Sequence, residues 1–147
     1  MPEPEPCPAT PAPAVWEYIL YIPNDPRAVG ICRRTLRDVL AAYGFPDLTE
    51  AAELLATELV TNAVQHTKGT AAMKLRAEHG VLRIGVWDND PTPPRPPHDT
   101  TWDAETGRGL TLVRSCADTW GWVRQRDLKN IVGAGKYIWC ELTSTAA

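Results

Sequence analysis

Glu58-Leu59-Val60-Thr61-Asn62-Ala63-Val64-Gln65-His66-Thr67 carries Glu58, Asn62 and His66 at intervals of four residues, interleaved with the apolar Leu59, Val60, Ala63 and Val64. In an α-helix each such interval advances about 400° and about 6 Å, so the three polar tips share one stripe. On a helix whose other faces are apolar, a polar stripe either faces water or lines a site. The helix itself is expected to begin near Asp47, where Asp47 and Glu50 stand at capping-box spacing. It continues through Leu54, Leu55, Leu59, Val60, Ala63 and Val64 and ends near Thr67.

Upstream, Trp16-Glu17-Tyr18-Ile19-Leu20-Tyr21-Ile22 is rich in aromatic and β-branched residues and stops at Pro23-Asn24, which predicts a first strand. Asn24 or Asp25 is expected to cap the next helix, with Pro26 in its first turn. Ala28, Ile31, Cys32, Leu36, Val39, Leu40 and Tyr43 then recur at helical spacing until Gly44. Downstream, 71–77 and 81–87 alternate strongly about Glu78-His79-Gly80 and predict an antiparallel hairpin whose second strand delivers Asp88.

The prolines at 91, 93, 94, 96 and 97 forbid a helix or a central strand, so 89–106 is expected to be a long loop. A short helix through Leu110, Leu112, Val113 and Cys116 follows Gly107-Arg108-Gly109, and strands are expected near 119–126 and 136–142. Strand, helix, helix, hairpin, loop, helix and hairpin sum to an α+β fold. It is a two-layer sandwich of an antiparallel or mixed sheet with helices on one face.

A length of 147 residues with 44% apolar and 22% charged residues suits one globular core. The formal net charge of −3 gives no general electrostatic reason to seek nucleic acid or an anionic membrane. No apolar run approaches the roughly 20 residues of a spanning helix, and Glu3 and Glu5 stand where a secretory signal would be basic; a cytoplasmic location is expected. Six prolines between Pro2 and Pro13 predict a disordered tail over 1–14, followed by one domain over 15–143 and a flexible end over 144–147. Cys7, Cys32, Cys116 and Cys140 form no CxxC pair, which argues for reduced thiols, the last three as small buried hydrophobes and Cys7 as exposed.

Asp88 at a strand end, a long loop, and Gly107-x-Gly109 opening a helix together suit a phosphate-bearing ligand. Glycines let the backbone approach an anion, and the amides at a helix start stabilise its charge. Taken alone, the glycine pair is also what an ordinary tight turn before a helix would show.

Three segments carry a resemblance to the GHKL superfamily, the ATP-binding fold of histidine kinases, gyrase-type ATPases and anti-sigma-factor serine kinases. They are 58–67, Val86-Trp87-Asp88-Asn89-Asp90, and Thr106-Gly107-Arg108-Gly109-Leu110-Thr111-Leu112-Val113. The resemblance covers about residues 16 to 143 and implies a Bergerat-type ATP site. It implies Asn62 as the ligand of a Mg2+ ion that arrives with ATP, Glu58 as general base, and Asp88 as acceptor of the adenine amine. Gly107, Arg108, Gly109 and Leu110 would lie along the phosphates, with Arg108 either supplying charge or facing solvent. His66 or Lys68 would touch phosphate or remain on the surface. Tyr137 would stand where the family often has a threonine beside the aspartate, and Asp90 falls where the family's first glycine box has glycine.

Small members with this wording resemble anti-sigma-factor serine kinases, which bind a sigma factor and phosphorylate an antagonist protein. The chain is therefore expected to be an ATP-binding regulator of transcription acting as a protein serine kinase, with a homodimer left open. A non-catalytic, nucleotide-dependent binding module is the main alternative, because the altered glycine box sits beside the nucleotide. A purely structural partner protein, whose stripe is merely solvated, is the third.

Overall fold

The computed structural model describes residues 15–94, 113, 116–128, 131–132 and 134–145. Strand β1 spans Val15–Ile22, helix α1 Arg27–Tyr43 and helix α2 Thr49–His66. Strands β2 (Ala71–Glu78), β3 (Val81–Asp88), β4 (Thr119–Arg124) and β7 (Lys136–Thr143) complete the main sheet, and β5 (Asp127–Leu128) pairs with β6 (Ile131–Val132) in a separate short ladder. The main sheet has the order β1-β2-β3-β7-β4, and every neighbouring pair is antiparallel. The expected α+β sandwich is thus present, its sheet antiparallel. The proline-rich tail, the glycine pair Gly107 and Gly109 with Arg108 and Leu110, and most of the loop before them lie outside the described residues.

Alternation sorts the strands into two faces. Trp16 and Ile22 of β1, Met73 and Leu75 of β2, Leu82, Ile84 and Val86 of β3, and Ile138, Cys140 and Leu142 of β7 are buried under the helices. Helix α1 buries the stripe Ala28, Cys32, Leu36 and Leu40, whose four-residue steps keep it on one side. Helix α2 buries a broader surface, including Leu55, Leu59 and Val60, because it packs against α1 and over β3. Each such leucine or valine contributes roughly 1.5–3 kcal/mol relative to exposure.

The β2–β3 turn is His79-Gly80, with φ of 49° and 79°, the doubly positive pattern that two-residue hairpins favour. At the start of α1 the Asp25 carboxyl accepts the Arg27 amide at 2.9 Å, the side-chain cap expected of Asn24 or Asp25. Pro26 holds the N-cap position of α1, while Asn24 donates to the carbonyls of Val64 and Thr67 and so ties the start of α1 to the end of α2. Leu48 precedes α2, and Asp47 instead accepts from Ser144 and from the Thr145 amide, because β7 ends beside it. Cys32 and Cys140 are buried as expected, whereas Cys116 is exposed.

Candidate functional site

A cavity of about 210 Å³ opens between the C-terminal half of α2 and the adjoining ends of β3 and β7. Three consecutive turns of α2 supply Leu59, Asn62, Ala63 and His66, the apolar and polar edges of the predicted stripe meeting there. Val86 and Ile138 form an apolar floor from the sheet, and Asp88 and Lys136 end it. Asp90 and Thr92 close the outer rim.

Asn62 and His66 of the stripe are brought together with Asp88 along this cavity. Asn62 is half-buried and His66 exposed at the mouth. Glu58, half-buried one turn earlier, is not among the residues that line this cavity.

Asp88 is the chemical centre. Its carboxyl accepts the Asp90 amide at 2.9 Å and the Lys136 ammonium at 3.0 Å, both on Oδ1. The Asp88 and Lys136 side chains are only 6% and 9% exposed. Burial raises the Asp88 carboxyl above its ordinary value; the Lys136 and Asp90 hydrogen bonds pull it down, and burial prevails. Asp90 repeats the motif, its Oδ1 accepting the Thr92 amide at 2.9 Å. That bond, first among the causes, holds the Asp90 carboxyl below its usual range.

These two aspartate turns explain how the segment tolerates Asp90 in place of glycine. Among the described residues His79 is the sole non-glycine with positive φ, so Asp90 needs no left-handed backbone. The side chains of Asp88 and Asp90 shape the turn by bonding the backbone two residues on.

Tyr137 does not stand beside Asp88. In the β3–β7 register Asp88 faces Lys136 and Trp87 faces Tyr137, so Tyr137 lies on the opposite side of the sheet with Ala72 and Trp87. Its ring passes directly over Gly85, where a Cβ would collide with it. Lys136 was missed, although a signal was present: Ile138, Cys140 and Leu142 are the inward set of β7, and Lys136 shares their parity. Gly135, just before it, lies so close that a Cβ there would strike the Asp88 carbonyl and the Trp87 ring, which lets the two strand ends approach.

The donor set bears on magnesium as well. Among the described residues no three of His, Cys, Asp and Glu converge on one point. A single amide oxygen from Asn62 matches a hard cation that takes most of its ligands from phosphates and water.

Two polar residues of the helix stripe, Asn62 and His66, thus share one cavity with the buried strand-end Asp88 over an apolar floor, in a two-layer α+β sandwich. The chain belongs to the family of the histidine kinase-like ATPase domain, whose model matches residues 22–136. Among individual proteins it is similar to the serine-protein kinase RsbW of Bacillus velezensis, at 31% identity covering 69% of this chain and 75% of the relative. Membership in an ATPase family implies an ATP site. No helix among the described residues is long and apolar enough to cross a membrane.

Proposed function

We propose that this protein binds Mg2+-ATP in the α2–β3–β7 cavity and acts as a regulatory serine-protein kinase of the anti-sigma type. Its partners would be a sigma factor and an antagonist protein that it phosphorylates. The observation that carries the proposal is the convergence of Asn62 and Asp88 on one cavity, with an apolar floor between them suited to a flat base. Similarity to a serine-protein kinase supports the choice of reaction.

In this role Asp88 accepts the adenine amine and Asn62 holds the metal. Glu58, one turn earlier on the helix, accepts the proton of the substrate hydroxyl. Calorimetry with Mg2+-ATP, followed by transfer of labelled phosphate to candidate antagonist proteins, tests binding and chemistry separately. Absence of any binding heat, with an unchanged melting temperature at saturating nucleotide, would overturn the proposal.

A second reading has its own observation. Glu58 does not line the cavity, as a nucleotide-gated binding module without transfer would allow. That reading predicts ATP binding with no phosphorylation of any antagonist.

A further inference from the structure

Lys136 lies in the candidate site as a charge that the sequence alone did not place there. Its ammonium carries three N–H donors. One goes to Asp88 Oδ1 at 3.0 Å and one to the Asp90 carbonyl at 3.0 Å. Lys136 lines the same cavity as Asp88, together with Val86 and Ile138 of its apolar floor. In so sealed a position an ammonium gains from every donor being used, and its two partners among the described residues leave one donor for a ligand.

Asp88 and Lys136 thus present an acceptor and a donor side by side. The Watson–Crick edge of adenine offers the complement, an amine donor beside the ring acceptor N1. We propose that Lys136 is a second base-reading residue of this site, donating to adenine N1 while Asp88 accepts the adjacent amine. The proposal rests on the ATP reading of the cavity. It assigns adenine selection to two charged groups, where a single aspartate reads only the amine. Guanine in the same pose sets its O6 acceptor against the carboxylate and its N1–H donor against the ammonium. A site built to hydrogen-bond one edge rejects such an analogue strongly, because its own groups are left unpaired.

Lys136 also holds Asp88, so a simple loss of ATP affinity in a Lys136 variant would not separate reading the base from positioning the carboxylate. Base analogues do. The full chain with Mg2+ is titrated calorimetrically with ATP, with 1-deaza-ATP, in which a C–H replaces N1, and with GTP, using wild type and Lys136→Met. The wild type is expected to bind 1-deaza-ATP about tenfold or more weakly than ATP, the scale of one hydrogen bond to a charged group. It should bind GTP more weakly still.

In Lys136→Met the difference between ATP and 1-deaza-ATP should vanish, whatever the absolute affinity. A penalty for 1-deaza-ATP that persists unchanged in Lys136→Met overturns the proposal and leaves Lys136 a positioning residue. Preference for GTP overturns it while keeping a nucleotide site. If the wild type binds no nucleotide, the ATP reading itself fails and the proposal falls with it. Should Lys136→Met lose its fold by circular dichroism, the side-chain nitrogen resonance of wild-type Lys136 supplies the second readout. It is expected to shift with ATP and to stay in place with 1-deaza-ATP, and equal shifts overturn the proposal.

Discussion

The Lys136 ammonium and Asp88 Oδ1 sit 3.0 Å apart as direct cross-strand partners at the ends of β7 and β3, both nearly sealed from water. A buried pair of this kind costs desolvation on both sides, so its value to stability depends on neither partner being left alone. The sheet supplies the pairing, and Gly135 supplies the room.

That dependence separates two substitutions of Asp88. Asp88→Asn keeps an oxygen that accepts from Lys136 and from the Asp90 amide, so the fold should persist with a modest change in melting temperature. ATP affinity should fall by about 1.5–3 kcal/mol, the cost of losing a charge-assisted acceptor. Asp88→Ala strands the ammonium and should destabilise the protein by about 3–5 kcal/mol in urea unfolding. Equal stability of the two variants would contradict the buried-pair account.

Gly135→Ala is expected to act on both fold and site. A Cβ at this position meets the backbone carbonyl of Asp88, which cannot rotate away as a side-chain tip would. The strand ends must move apart, so a destabilisation of about 1–3 kcal/mol, the scale of overpacking, should accompany weaker ATP binding. Urea unfolding and calorimetry on the same sample check the coupling.

Alkaline pH should weaken the fold through its buried thiols. Burial pushes Cys32 up to about 11 and Cys140 to about 12, against an ordinary value of 9.0. The folded state therefore holds protons that the unfolded chain releases. The stabilisation is complete below pH 9 and is lost as pH rises through 11 to 12. Cys140→Ala should flatten this limb of a stability-versus-pH curve. In the native protein at mild pH, exposed Cys116 should react with a thiol reagent while Cys32 and Cys140 stay protected until unfolding.

Asn62 and Glu58 should part company in assays. Asn62→Ala removes the proposed metal ligand and should weaken Mg2+-ATP binding itself. Glu58→Gln, a turn away and off the cavity wall, should bind ATP as the wild type does. If the protein is a kinase, Glu58→Gln should lose about 100-fold in phosphoryl transfer, the scale of a general base. Equal transfer by wild type and Glu58→Gln removes Glu58 from the chemistry.

Periodicity within a segment was enough to find the two helices, the β2–β3 hairpin and the outer strands, because each signal is local. Helical spacing places Leu36 above Leu40, and period-two alternation turns Met73 and Leu75 to the same side. The stripe of α2 and the strand-end Asp88 were legible for the same reason, and the resemblance of their segments gave them roles. What local pattern does not encode is which strand lies beside which. The order β1-β2-β3-β7-β4 brings residue 136 against residue 88 across a long intervening segment, and that pairing alone makes Lys136 part of the site. The same register sends Tyr137 to the far face, because adjacent residues on a strand point to opposite sides. Asp47 likewise left its expected helix cap for Ser144 and Thr145, partners that only the folded chain brings within reach. Side-chain type and spacing were properties of the sequence; the charge that completes the pocket came from a long-range strand pairing, which tertiary packing alone determines.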